Sequence, residues 1–244
     1  MNTNKSTGKT KGFISISLIC FIVFSLGFFP SIIVSKIFLL FIPMTEIWYL
    51  FLLPFFIYFV LVLTIFYQLL FSGLIIHLFK IRYEPGLYDY TYNNKMAFRW
   101  IVVCALYTPI RKILEIFPLG GIKNTYYRML GMKIGQNTLV GGVIKDPCLT
   151  EFGDNITMGE YAIIYGHIHN YEKTTILMDR VKIGNSCVIG AGAIIMPGAV
   201  LEDDVRLAAG AVVTKSQILE KGKTYGGIPA KEIKPKKIKK VLVT

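Results

Sequence analysis

VKIGNSCVIGAGAIIMPGAVLEDDVRLAAGAVV, residues 181–213, decides the fold. Ile183, Ile189, Ile195, Leu201, Leu207 and Val213 fall six apart without a slip. Four residues after each of the first five comes a small or β-branched residue: Cys187, Ala193, Ala199, Val205 and Ala211. A period of six fits neither an amphipathic helix, which repeats every 3.6 residues, nor a strand, which repeats every two. It fits a triangular solenoid in which each hexapeptide forms one short flat face and turns its aliphatic residue inward. Eighteen residues then complete one coil of a parallel β-helix.

The same rhythm runs upstream in its own phase. Ile134, Val140, Phe152, Met158 and Ile164 share one grid, on which Asp146 is the misfit. Ile164 and Ile183 are nineteen residues apart, 183 − 164, which is thirteen more than one step. An insertion inside a stacked face would leave backbone groups unpaired, so the extra residues are expected as a loop thrown out from a corner. That insertion, GHIHNYEKTTILMDR, contains His167 and His169, and the third histidine of the chain is His77.

Residues 126–233 resemble the left-handed β-helix, hexapeptide-repeat acyltransferases, and are most similar to the acyltransferase-like modules of polylysine-synthetase-type peptide synthetases. The stretches carrying the resemblance are YRMLGMKIG (127–135), EFGDN (151–155), HNYEKTTILMDRVKIG (169–184), VVTK (212–215) and GGIPAKEI (226–233). It implies the left hand of the coil, a homotrimer, and acyl-CoA (acetyl-CoA first) as co-substrate. It also implies a cleft where backbone amides meet the pantetheine arm, with Gly192, Ala209, Gly210, Lys215 and the run Gly227, Ile228, Pro229, Ala230 matching in position. Lys215 and Lys231 are expected to meet the phosphates as point charges.

Acyl transfer to a hydroxyl or amine needs a base near neutrality, and histidine is the usual choice. His169 is favoured because its flanking residues match the family pattern; His167 matches when the count runs forward from the preceding coil. Glu172 is a candidate to orient the imidazole, and its alternative is an ordinary loop carboxylate. Asn155 and Asp146 are candidates for the acceptor site, Asn155 with the competing reading of a corner turn residue. A zinc enzyme of the carbonic anhydrase kind needs three histidines, which His167 and His169 do not supply; a two-histidine site completed by a carboxylate such as Glu172 is the weaker alternative, and no metal is expected. A non-catalytic trimeric membrane scaffold is the other alternative.

The rest of the chain is organised by hydropathy. Of its 244 residues, 53% are hydrophobic, and the excess is local. Residues 13–42 carry only Lys36 and residues 47–79 no Asp, Glu, Lys or Arg, each longer than the roughly 20 residues that cross a bilayer. The first is too long for the h-region of a signal peptide, and no A-x-A site follows it. Lys5, Lys9 and Lys11 precede the first segment, Lys80 and Arg82 follow the second, and only Glu46 lies between. The positive-inside rule then puts both ends, and the coil, on the cytoplasmic face.

The expected plan is a polar, disordered tail (1–12), two transmembrane helices (13–79), a linker with amphipathic or interfacial helices (80–125), the coil (126–233) and a basic tail (234–244). Within the linker, YEPGLYDYTYNN (83–94) reads as a loop. Residues 95–117 read as helix, either on the membrane surface or buried in the soluble part. The net charge of +12 comes with no nucleic-acid-binding motif and is assigned to anionic membrane lipid or to a solvated tail. The four cysteines are isolated, so neither a zinc ribbon nor a disulfide frame is expected. The acceptor stays open between a glycan, an amine and a lipid-linked molecule.

Overall fold

The structure, a computed structural model, describes residues 3–41, 47–116 and 120–234. The connection containing Glu46, residues 117–119 and the basic tail beyond residue 234 lie outside the described residues. The chain forms two compact units, one of residues 1–132 with 169–177, the other of residues 133–168 with 178–244.

The first unit is mainly helical. Helices α1 (Thr3–Phe41) and α2 (Tyr49–Leu78) are long and apolar enough to cross a membrane. Gln68 Nε2 donates to the Phe24 carbonyl at 2.9 Å, and Thr64 Oγ1 donates to Ser31 Oγ at 2.8 Å, so the polar groups of the hairpin face each other. Helix α1 begins ten residues before Phe13. The polar stretch expected as a disordered tail is therefore its first turns, because extending a formed helix adds a hydrogen bond per residue fixed.

Residues 80–94 are not all loop, since they hold strand β1 (Gly86–Asp89). Its neighbourhood gains a backbone partner far away in sequence, with Tyr90 N–H donating to the Thr174 carbonyl at 2.8 Å. Helix α3 (Lys95–Ile116) buries Trp100, Val103, Leu106, Tyr107, Ile110 and Leu114, so one face of it packs inside the helical unit. Asn94 Oδ1 accepts from the amides of Met96 and Ala97, which otherwise lack a partner in the first turn. Helix α4 (Gly120–Met129) completes the unit, with Tyr126 Oη and Ser72 Oγ 3.1 Å apart. That helix runs from the stretch expected as linker into the first residues expected as coil.

The second unit is the coil. Its first turn is β2 (Lys133–Ile134), β3 (Leu139–Val140) and β4 (Val143–Ile144), and its second β5 (Thr150–Phe152), β6 (Thr157–Met158) and β7 (Ile163–Ile164). Strands β8 (His167–Asn170) and β9 (Thr175–Met178) follow as the insertion. The coil resumes with β10 (Val181–Ile183), β11 (Val188–Ile189) and β12 (Ile194–Ile195), then β13 (Val200–Leu201), β14 (Arg206–Leu207) and β15 (Val212–Val213). Strands β16 (Ile218–Leu219) and β17 (Thr224–Gly226) begin a further turn, and β18 (Lys231–Glu232) folds back antiparallel to β17.

All stacking between turns is parallel and in register. Ile134, Phe152, Ile183, Leu201 and Leu219 form one column; Val140, Met158, Ile189, Leu207 and Tyr225 form a second. The third column is Ile144, Ile164, Ile195 and Val213. Each deeply buried aliphatic side chain contributes about 1.5–3 kcal/mol relative to exposure, and Cys187, Ala193, Ala199, Val205 and Ala211, all fully buried, fill the space between columns. Burial raises the Cys187 thiol to about 11, as expected of a core residue rather than a reactive one.

The inward residue of the first turn's third face is Ile144, not position 146. That face arrives two residues early through Gly141–Gly142, and the 3₁₀ turn Pro147–Leu149 makes up the length before β5. Both glycines lie too close to the backbone of the next turn for any side chain: a Cβ on Gly142 would meet the Met158 Cε at 2.6 Å and the Ala162 carbonyl carbon at 2.9 Å.

Candidate active site

The two-residue slip puts Asp146 at a coil corner rather than on a face, and it is fully buried there. Its Oδ2 accepts the Gly166 amide at 2.8 Å and lies 2.6 Å from Nδ1 of His167. With a carboxylate accepting, the proton sits on Nδ1 and Nε2 is left as the basic nitrogen. The backbone carbonyl of Asp146 accepts from the Thr150 hydroxyl at 2.9 Å and from the Leu149 amide at 3.1 Å, which fixes the carboxylate's own backbone. A Cβ on Gly166 would stand 2.8 Å from the Asp146 Cβ and 3.0 Å from the Leu149 Cβ. Only glycine lets the chain leave the coil this close to the carboxylate. All of these residues belong to the second unit.

His169, two residues on, belongs to the first unit. Its ring meets Tyr90 edge-on at 4.6 Å and Trp100 edge-on at 4.9 Å, and stacks on Tyr171 at 5.4 Å. It is one ring of an aromatic cluster. Glu172 is exposed on the turn between β8 and β9, and the carboxylate paired with an imidazole is Asp146. Asn155 is an exposed corner residue with φ of +58°, accepting from Asn137 Nδ2 at 3.3 Å. The turn reading accounts for it: Asn137, Asn155, Ser186 and Asp204 hold the same left-handed corner in successive turns.

The residues expected at the donor cleft share another corner and its edge. Tyr161, Gly192 and Gly210 all have positive φ there, at 60°, 67° and 67°. Tyr161 shows that the corner does not require glycine, and its ring stands out 79% exposed. Beside Gly192 and Gly210 nothing lies within 4 Å of where a Cβ would sit, so two turns of the corner present bare backbone. Ala209 precedes Gly210. The segment Gly227–Ala230 grips β15 from beyond, with Val212 N–H donating to the Gly227 carbonyl at 3.0 Å and Ala230 N–H to the Val212 carbonyl at 2.7 Å. Ile228 is 78% exposed on that segment, and Lys215 and Lys231 are both exposed. Among the described residues no three of His, Cys, Asp and Glu gather as a metal set.

Elsewhere on the coil Glu151 joins Lys133 and Arg180, each at 3.0 Å. Burial works against its charge, and the Lys133 bond and the surrounding cations outweigh it, lowering the carboxyl.

Corners of this kind around a six-residue stack define a hexapeptide-repeat protein with a histidine–aspartate pair at the base of a loop. The family model described as "Bacterial transferase hexapeptide (six repeats)" matches residues 180–215. YvoF of Bacillus subtilis, whose name places it among acetyltransferases, is 32% identical over 130 residues, covering 50% of this chain and 72% of that protein. Gamma carbonic anhydrase 2 of Arabidopsis thaliana is 30% identical over 109 residues, covering 41% of this chain and 33% of the relative. Delta-poly-L-ornithine synthetase of Acinetobacter baumannii is 26% identical over 156 residues, 61% of this chain and 11% of the relative. The chain therefore spans most of one of these relatives and a third or less of the other two. It belongs to the hexapeptide-repeat acyltransferase family.

Proposed function

We propose that this protein is a membrane-anchored, acetyl-CoA-dependent acetyltransferase whose general base is His167. The observation that carries the reading is the buried Asp146 carboxylate 2.6 Å from His167 Nδ1, a dyad that leaves Nε2 as the proton acceptor. The acceptor hydroxyl or amine attacks the thioester carbonyl as Nε2 takes its proton. The tetrahedral adduct then collapses, the C–S bond breaks, and the imidazolium returns the proton to the leaving thiolate, giving CoA-SH and the acetyl ester or amide. Backbone amides of the coil are suited to hold the oxyanion. The favoured base of the sequence reading, His169, is reassigned to packing on the strength of its three ring neighbours. Purified protein incubated with labelled acetyl-CoA and a cell lipid extract should yield a labelled product; no transfer to any fraction would leave the scaffold reading in its place.

The bare corner at Gly192 and Gly210 is the proposed path of the pantetheine arm, with Lys215 and Lys231 toward the phosphates. Gly210→Asn keeps a residue that tolerates positive φ but adds bulk. It should raise the KM for acetyl-CoA about tenfold with stability changed by about 1 kcal/mol or less. An unchanged KM removes the corner from the donor site. A threefold trimer, sharing donor sites between neighbours, is part of the same proposal.

Both apolar helices are proposed to cross the bilayer with the coil in the cytoplasm, where acetyl-CoA is found. An Ile47→Cys variant, at a position 80% exposed, should react with an impermeant thiol reagent in intact cells. Val188→Cys on the coil should react only after lysis, and labelling of Val188→Cys in intact cells would overturn the orientation.

A further inference from the structure

At the end of the two apolar helices marked by Lys11 and Lys80, a cavity of about 230 Å³ opens within the helical unit. Its walls are Ile19 of α1, Phe79 and Ile81 just past α2, and one face of α3. Helical spacing makes that face: Lys95, Phe98, Arg99 and Val102 stand at i, i+3, i+4 and i+7. Two cations thus share a small cavity with aliphatic and aromatic side chains.

The cations have no counter-charge. Among the described residues neither Lys95 nor Arg99 takes part in an ion pair, and the first turn of α3 holds no Asp or Glu. Lys95 is the first residue of the helix, where the aligned peptide dipoles are already positive. Arg99, four residues on, adds a like charge on the same face and is itself half-buried. Its guanidinium is held in place, with Nη1 donating to the Arg82 carbonyl at 3.2 Å, and its other N–H groups remain for a ligand. An anion seated between Lys95 and Arg99 relieves both repulsions.

The apolar walls say what that anion is attached to. Ile19 belongs to the apolar span of α1, Thr10–Phe41, and the Phe79 ring, directly after α2, is 74% exposed. Leu18 and Leu78, their neighbours in sequence, are exposed as well. A free phosphate has nothing to place against these side chains, whereas a phospholipid sets its first methylenes there. A choline or ethanolamine headgroup brings its own cation against Lys95, so a headgroup of net negative charge is the better fit.

We propose that this cavity seats one anionic phospholipid per chain, its phosphate between Lys95 and Arg99 and the start of its acyl chains against Ile19, Phe79 and Phe98. The inference rests on the membrane-anchored reading and adds to it a lipid site separate from the basic residues beyond 234.

The test titrates full-length protein in mild detergent with an equimolar mixture of phosphatidylglycerol and phosphatidylcholine of identical chains, and counts bound lipid by native mass spectrometry. One phosphatidylglycerol per chain should bind about tenfold more tightly than phosphatidylcholine, or better. Lys95→Gln combined with Arg99→Gln should abolish that preference. Lys95→Gln alone, at an exposed position, should reduce it and serves where the double variant does not fold. Lys112→Gln, which removes an exposed lysine of the same helix already paired with Glu115 at 3.0 Å, should leave it unchanged. Equal binding of the two lipids, an unaltered preference in the Lys95 and Arg99 variants, or its loss in Lys112→Gln overturns the proposal. So does displacement of the lipid by inorganic phosphate, which would make this a site for a soluble anion. Washing cell membranes with alkaline carbonate separates the two readings. Protein that stays in the pellet yet shows no lipid preference fails this inference alone; protein released by the wash fails the membrane reading.

Discussion

His167→Ala should lower kcat by about 10²–10⁴-fold, the usual contribution of a positioned general base. His169→Phe should leave kcat within about threefold of the parent, because phenylalanine keeps a ring between Tyr90, Trp100 and Tyr171 and loses only a function we do not assign to it. The two histidines sit two residues apart on one strand, so a nonspecific effect on that strand would strike both variants. Affinity for acetyl-CoA should be unchanged in His167→Ala, since the corner at Gly192 and Gly210, proposed to take the donor, is built from other residues. His169→Ala is the less informative variant. Removing a ring from a packed cluster costs about 3–5 kcal/mol for the larger aromatics and somewhat less here, so its lost activity would be confounded with lost folding. An inactive His169→Phe beside an active His167→Ala would restore the first ranking of the sequence and remove the dyad from the mechanism.

That ranking shows what one dimension carries. The six-residue columns were legible because every inward residue of a stacked face repeats the same environment; Ile183 to Val213 could be read off, and Leu219 and Tyr225 extend the same two columns. The insertion was legible as a break in that rhythm. Its role was not. Choosing between His167 and His169 depends on which side of a unit boundary each falls, and in the sequence the two flank the single residue Ile168. Asp146 did leave a signal, as the one residue off the upstream grid, but the signal read as a gap in a face. It marks a shortened corner, with the diglycine Gly141–Gly142 before it and Pro147 after it, and such a corner is where a polar side chain can turn inward. Gly166 was invisible because its constraint comes from Asp146 and Leu149, twenty and seventeen residues away (166 − 146 and 166 − 149). Strand β1 was missed because its partner is the distant hairpin, and Pro85–Gly86 reads locally as a turn.

Asp146 can be tested by a graded series. Because a single oxygen accepts the Gly166 amide and faces His167 Nδ1, asparagine can present its carbonyl to both and keep the imidazole in place. What Asp146→Asn removes is the negative charge that stabilises the imidazolium formed when Nε2 takes a proton. A charge-assisted hydrogen bond is worth about 1.5–3 kcal/mol, so kcat should fall roughly tenfold to a hundredfold at 1.4 kcal/mol per decade. Asp146→Ala also leaves the Gly166 amide without its acceptor and the ring without an anchor, and should approach the loss of His167→Ala. Gly166→Ala reaches the same end from the other side. Its Cβ, 2.8 Å from that of Asp146 and 3.0 Å from that of Leu149, must push the carboxylate away from the imidazole while every polar group of the site remains. Fully formed dyads should therefore rank the chains in kcat as parent, then Asp146→Asn, then Gly166→Ala and Asp146→Ala, with acetyl-CoA affinity level across all four. If Asp146 only supported the fold, kcat and acetyl-CoA affinity would fall together in step with melting temperature. Asp146→Asn, equal in volume, would then be silent.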